Sequence, residues 1–358
     1  MYPSELGFMM LAEWKKHQQT FMEWPVEEAE WPGPFHEVLS GFTNIVKKIA
    51  EFEPVAVITS PASTREAADY LHDTPTPNPI RLLEIEHNDS WIRDNGPTFV
   101  VNPQKEVAGI NWKFNAWGGK YRFAEDDKVA PELLARLGIP RFDAPFILEG
   151  GSIHVDGDGT LLATEECLLN QNRNPRLGKT EMEELLQGYL GIQKVIWLPR
   201  GLYGDDTDGH IDNVACFARP GVVIMQDCSD PHDPNYPIAR ENRRILESAT
   251  DARGRNLEVI RIEQPPSIRY NGTRLTLSYL NFYFVNGGLI LPVFGRTPRT
   301  EDPSLPWELH KETLKTDEAA EMTLKQIFPR RLVVTVDGLQ VARGGGNVHC
   351  LTQQMPAP

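Results

Sequence analysis

Residues able to do covalent chemistry gather in a few short polar stretches, and the most pointed lies near the end of the chain. "GGGNVHC", Gly344–Cys350, sets a thiol a few residues before Pro358. Three consecutive glycines weaken any helix or strand, and they let another molecule approach the backbone closely. Gly345, Asn347 and His349 keep company with Cys350. A free thiol has a pKa of about 8.5 and becomes a useful nucleophile beside a cation or an imidazolium. An imidazole is offered by "DGHIDN", where His210 and Asp212 are two apart. On a strand, that spacing points both side chains to one face. A histidine beside a carboxylate suits general acid/base work. "WIRDNGP" adds Trp91 and Asp94, and "EGG" adds Glu149.

Each stretch alone has a plainer reading. Asp, Asn, Gly and Pro favour turns, tryptophan is more often core than ligand wall, and most unpaired cysteines are small buried apolar residues. Taken together, a thiol, an imidazole and three carboxylates favour Cys/His chemistry on a planar cation. Carboxylates grip a guanidinium bidentately, each charge-assisted hydrogen bond contributing about 1.5–3 kcal/mol. A cysteine protease would instead need an oxyanion hole for its amide.

Metal chemistry finds no support in spacing. No second His/Cys cluster accompanies His210 and Asp212, and "DGDG" at 156–159 lacks the distal glutamate of a calcium loop and reads as a hairpin turn. Cys167, Cys216, Cys228 and Cys350 lie far apart with no C-x-x-C pair, so reduced thiols and a cytoplasmic location are expected. The net charge of −14, from 36 basic against 50 acidic residues, disfavours nucleic acid and anionic membranes as partners and suits a small cationic one. No apolar run approaches the roughly 18 residues of a membrane span, and the first residues make a poor signal peptide. A homo-oligomer is compatible with the sequence, which does not specify one.

The elements that must position these residues repeat one plan. "PTFVVNPQKEVAGINWKF" from Pro97, "SIHVDGDGTLLATEECLL" from Ser152, "DNVACFARPGVVIMQ" from Asp212 and "SYLNFYFVNGGLILPVF" from Ser278 each read as strand, turn, strand. Amphipathic helices are expected at about 35–51, 63–72, 126–137, 180–190, 237–249 and 313–327. Two of them open with apparent capping boxes, Ser63 with Glu66 and Thr180 with Glu183. Such spacing suits a radial array of modules. The last strand signal, "VHCLTQQ", has no second half after it, and "EWKKHQQTFMEWP" near the start can supply one, closing a ring over residues 1–358 as a single domain. The chemically capable stretches precede the hairpins, where loops held by a rigid scaffold build sites.

"WIRDNGPTFVV", "FNAWGG", "EGGSIHVDGDGTLLATEECLLNQNRNP", "DDTDGHIDNVACFARPGVV" and "GGGNVHCLTQQMP" together resemble the agmatine deiminases of the guanidine-modifying superfamily, in order and over nearly the whole chain. The resemblance implies an α/β fold, a five-bladed pseudo-symmetric propeller of ββαβ modules, with neither metal nor organic cofactor. It makes Cys350 the nucleophile, His210 the general acid/base, Asp94 and Asp212 the guanidinium clamps and Glu149 a supporting carboxylate. The implied reaction turns agmatine into N-carbamoylputrescine and ammonia through a covalent thiouronium, in polyamine biosynthesis or agmatine catabolism.

The substrate's tail is addressed less directly. After "AWGG" the segment "KYRFAEDD" is shorter than the family usually carries there. Asp205, Asp206 and Asp208 are candidates for a terminal ammonium, with Asp206 preferred. Two rivals stand beside this reading. One is a deiminase of arginine or peptidyl-arginine, for which Arg93 and Arg122 are the candidate carboxylate donors. The other is a protein that binds agmatine or a polyamine without turning it over.

Overall fold

Every expected hairpin forms, and each is followed by a helix and then by a strand parallel to the hairpin's second strand. The computed structural model describes residues 1–26, 31–73, 75–295 and 307–358. Thr98–Val101 pairs antiparallel with Val107–Lys113, and helix Asp126–Leu137 leads to the parallel strand Arg141–Ile147. The same order holds for Ile153–Val155, Thr160–Thr164, helix Lys179–Leu190 and strand Lys194–Leu198. It holds for Ala215–Arg219, Val222–Asp227, helix Asn235–Ser248 and strand Glu258–Glu263. It holds again for Tyr283–Val285, Gly288–Val293, helix Trp307–Ile327 and strand Leu332–Asp337. A parallel pairing demands a long crossover, and the helix supplies it.

The remaining module is built from both ends of the chain. Gln353–Pro356 pairs antiparallel with His17–Glu23, which continues through helix Phe35–Ala50 to the parallel strand Val55–Thr59. A second helix, Thr64–Leu71, adds the parallel strand Ile80–Glu84. Among the described residues this makes five ββαβ modules, the α/β propeller architecture that the motifs imply. The core lies between each sheet and its helices: Phe42, Ile45, Val46 and Ile49 of the first helix are fully buried, each such side chain contributing about 1.5–3 kcal/mol. A two-stranded ribbon, Arg269–Tyr270 with Thr273–Arg274, is an addition no periodicity announced. No described helix is long and apolar enough to cross a membrane.

Three expectations need correction. The closing strand spans only Gln353–Pro356, so Cys350 lies in the turn before it rather than on it. Neither capping box forms. Ser63 has φ −96° and ψ −8°, and its hydroxyl bonds to Ser60; the helix after Gly178 begins ahead of Thr180. The two glutamates have other work: Glu66 accepts from Trp24 Nε1 at 3.2 Å and Glu183 from Trp197 Nε1 at 2.6 Å. A buried indole N–H without an acceptor is costly, about 1–3 kcal/mol, which outweighs a second capping bond.

The end at which the chain enters each module's first strand is the functional one. One-turn segments Ile92–Asn95, Gly150–Ser152 and Ile211–Asn213 pack against one another there. The loop before Tyr283 and the turn at 344–350 arrive at the same place, because Asn281 bonds to both Asn213 and Cys350.

Candidate active site

The nucleophile candidate is held from two sides. Asn281 Nδ2 donates to Cys350 Sγ at 3.1 Å, while Asn281 Oδ1 accepts the backbone N–H groups of His349 and Cys350. The thiol donates to Asp212 Oδ2 at 3.4 Å. Burial, then the Asp212 and Asp94 carboxylates, push its pKa well above the usual thiol range. An empty site therefore holds a thiol, not a thiolate. An arriving cation would offset those carboxylates and lower that barrier.

Asp94 is presented by the turn Ile92–Asn95, pinned where Arg93 N donates to the Cys350 carbonyl. Its Oδ1 accepts from Gly151 N and its Oδ2 from Trp117 Nε1, both at 2.9 Å. Ala116 and Trp117 both sit at positive φ, 50° and 53°, backbone that bulky residues avoid. Strain of this kind persists where the surroundings over-determine it, and here it aims the indole at Asp94. Burial raises the Asp94 pKa, His210 offsets part of that, and Asp212 and Glu149 add to it.

His210 and Asp212 do not share a strand. His210 precedes the one-turn helix Ile211–Asn213, its N–H bonded to Thr207 Oγ1. Both nevertheless reach the site. His210 Nδ1 lies 3.7 Å from Asp94 Oδ1 and Nε2 lies 3.9 Å from Glu149 Oε2, ion-pair distances too long for hydrogen bonds, so neither buried ring nitrogen has a hydrogen-bond partner. Burial works against its protonation, but Asp94 and Cys167 beside it hold its pKa well above the usual range. Glu149 Oε1 accepts from Arg173 Nε at 2.8 Å. Burial alone would raise Glu149, yet His210 and Arg173 keep its carboxyl low.

Gly151 marks the point of convergence. A Cβ there would stand 2.6 Å from His210 Nδ1, 2.9 Å from Asp94 Oδ1 and 3.0 Å from Asp212 Oδ2. The first two contacts are shorter than real side chains tolerate and the third is tight, so an added methyl must displace these groups from one another. Gly151→Ala is expected to fold with a Tm a few degrees lower and to lose about a hundredfold in kcat/KM, the usual consequence of a displacement near 1 Å. Steady-state kinetics beside a thermal melt checks this, and undiminished kcat/KM would refute it.

Over these groups lies a small, partly open cavity. Asp94, Cys350, Trp91, Trp117, Gly345 and Asp206 line it, joined by Asp89 and Tyr121. His210, Asp212 and Glu149 stand behind this lining. Trp91 stacks on Trp31, ring centroids 5.2 Å apart, and a Cβ on Gly346 would meet the Trp91 ring at 2.5 Å. Gly345 is left-handed, with φ 101°. Asn347 differs from expectation: it donates to the Gly338 carbonyl and accepts from Val348 N, shaping the turn from behind.

The three tail candidates part company. Asp208 is taken by Arg173, Lys120 and Asn172. Asp205 is buried, accepts from Thr207 and has its pKa pushed to about 6 by that burial. Asp206 alone faces the cavity, at its rim, where the Tyr121 hydroxyl donates to it at 2.6 Å. Arg93 is no carboxylate receptor. It is buried against Glu13, Gln354 and the His349 carbonyl.

Sequence spacing hid one further neighbour. Ligand atoms of Glu149, Cys167 and His210 lie within 4.8 Å of one another. All three are fully buried off the cavity, and Arg173 already places a cation on Glu149, so the cluster serves better as a bed for His210 than as a metal site. Asn281, Trp117 and Gly151 also went unread. Asn281 had a findable signal, since it precedes the fourth hairpin where the other modules carry their reactive groups.

The family model for Porphyromonas-type peptidyl-arginine deiminase matches residues 9–356. The agmatine deiminase of Ectopseudomonas mendocina is 44% identical, covering 99% of this chain and 97% of its own. That of Medicago truncatula is 42% identical over 99% and 98%. The solved structure of Enterococcus faecalis agmatine deiminase superposes with a TM-score of 0.90 at 34% identity, over 99% of this chain and 98% of that one.

Proposed function

The chain belongs to the Porphyromonas-type peptidyl-arginine deiminase family, and on that footing we propose that it hydrolyses agmatine to N-carbamoylputrescine and ammonia. The observation that carries this reading is the meeting of Asp94, Asp212 and His210 around Gly151, with the Cys350 thiol bonded to Asp212. Asp94 and Asp212 hold the guanidinium flat against the thiol. Its charge offsets theirs, the thiol gives up its proton to solvent, and the thiolate attacks the guanidinium carbon. His210, charged in the empty site, protonates the departing nitrogen, which leaves as ammonia. A positively charged S-alkylthiouronium remains on Cys350. Neutral His210 then takes one proton from water as the resulting hydroxide adds to that carbon, and collapse forms the ureido carbonyl, expels the sulfur and passes the hydroxyl proton back to it, restoring the thiol and a charged His210. This sequence uses side chains and water alone.

Asp206 at the rim is the proposed seat of the substrate's terminal ammonium, and Tyr121 holds it in place. With Arg93 committed to the interior, and Lys120 beside Asp206 already engaged by Asp208, the α-carboxylate of arginine would be desolvated against carboxylates. Sites built for one polar pattern reject such analogues by about 10⁴–10⁵. Agmatine is accordingly expected to exceed free arginine by at least about a thousandfold in kcat/KM. A guanidine panel scored for ammonia and ureido product tests the function directly. Comparable efficiencies would move the reading to a broader deiminase, and tight agmatine binding without ammonia would move it to a binding protein. The thiol and imidazole argue against the latter, since binding needs only the carboxylates. A cytoplasmic enzyme of polyamine metabolism, folded as one closed domain, completes the proposal.

A further inference from the structure

The two oxygens of Asp212 keep different company. Oδ2 accepts from His349 Nδ1 at 2.9 Å and from the Cys350 thiol at 3.4 Å, while Oδ1 is buried without a hydrogen-bond partner. His349 is itself buried, and its other ring nitrogen, Nε2, lies 2.8 Å from Glu13 Oε1. A neutral imidazole has one N–H and one lone pair. Between two ionised carboxylates only the imidazolium donates on both sides. Both carboxylates favour the ionised form: burial opposes this, but His349, Arg93 and His154 hold Glu13 well below the usual range, and His349 with His210 lowers Asp212. The ring also has little freedom to turn away. The His349 N–H donates to Asn281, and its carbonyl accepts from Arg93 Nε at 3.3 Å.

We propose that His349 is a positioning residue for the reaction: as an imidazolium bridging Glu13 and Asp212, it offers Asp212 Oδ1 to the guanidinium and Oδ2 to the thiol. The proposal rests on the deiminase reading of the site. Glu13, from the N-terminal segment and outside the cavity lining, thereby becomes part of the machinery through His349.

The groups facing His349 set the direction of its pH response. Burial and Arg93 oppose the charge, and the Glu13 and Asp212 carboxylates overcome them, so its pKa is raised. The imidazolium is complete at low pH and is lost as pH rises through that raised value, taking the alignment of Asp212 with it. Glu13→Gln removes one of the two supporting carboxylates, leaving burial and Arg93 in place. The alkaline fall of kcat/KM should then begin at lower pH than in the wild type. His349→Gln keeps a donor for Asp212 without a titrating charge. Its kcat/KM should be about a hundredfold lower, and the only alkaline limb left should be the one set by His210, which must also be charged for the first step.

Histidine-¹⁵N NMR of the wild type, with the His349 signal assigned by its loss in His349→Gln, reads the same ring without any substrate. Both nitrogens should be protonated at neutral pH. A neutral ring, or an alkaline limb unmoved in both variants, overturns the proposal. If the wild type releases no ammonia from agmatine, the functional reading fails, and the NMR result still decides the state of His349. If Glu13→Gln does not fold, the spectrum and the His349→Gln profile decide.

Discussion

Cys350→Ala binds agmatine and releases no measurable ammonia from it. The expected loss in kcat is about 10⁵-fold or more, as when the nucleophile of a catalytic unit is removed. Binding survives because the clamps are untouched: Asp94 keeps Gly151 and Trp117, Asp212 keeps His349, and Asn281 Nδ2 keeps Asn213 Oδ1 at 3.1 Å when it loses the sulfur. Calorimetric titration with agmatine measures the first half of this result and an ammonia assay the second. Rapid quenching of the wild type followed by mass spectrometry should place the thiouronium on Cys350. Cys167, Cys216 and Cys228 are also buried with raised pKa values, Cys228 to about 11, and none of them lines the cavity. An adduct on one of them would overturn the assignment.

Asp94→Asn and Asp212→Asn should each lower kcat/KM on the order of a thousandfold. Both substitutions keep shape and remove charge, leaving guanidinium donors poorly matched in a buried site. Stranding one partner of a buried charged pair costs about 3–5 kcal/mol, and each 1.36 kcal/mol is a factor of ten. The two variants differ in what else they disturb. Asn at 94 places an amide beside Gly151 N or Trp117 Nε1, where two donors now meet. Asn at 212 takes a carboxylate from both His349 and the Cys350 thiol, so kcat should fall further there. Near wild-type efficiency in either would place that carboxylate outside the reaction.

Much of this site is legible in sequence because its parts occupy equivalent places in a repeat. Asp94, Glu149, His210 and Cys350 each stand just ahead of a module's first strand, and hairpin chemistry announces those strands. What spacing cannot show is how the turns are wound. His210 and Asp212 meet at the site through a one-turn helix, although a strand was the simpler expectation. Ser63–Glu66 and Thr180–Glu183 carry the local pattern of a cap, but distant indoles claim the glutamates, and a local motif yields to a buried donor. Trp117 and Gly151 act through contacts with residues far away in the chain, and composition gives no hint of either. Asp205, Asp206 and Asp208 look interchangeable until Arg173 and Lys120 engage Asp208, with Lys120 reaching the Asp206 carboxylate only at 3.8 Å, and burial removes Asp205.

The pairing of Gln353–Pro356 with His17–Glu23 also bears on how the protein is made. Residues 17–23 are translated long before their antiparallel neighbour at 353–356. Throughout synthesis the first module exposes a strand edge with unpaired backbone groups, a template for association with other chains. The same interval precedes the thiol itself, which is translated only after Asp94, Glu149, His210 and Asp212. A nascent chain bearing four modules therefore lacks its nucleophile and carries an edge open to pairing with another chain.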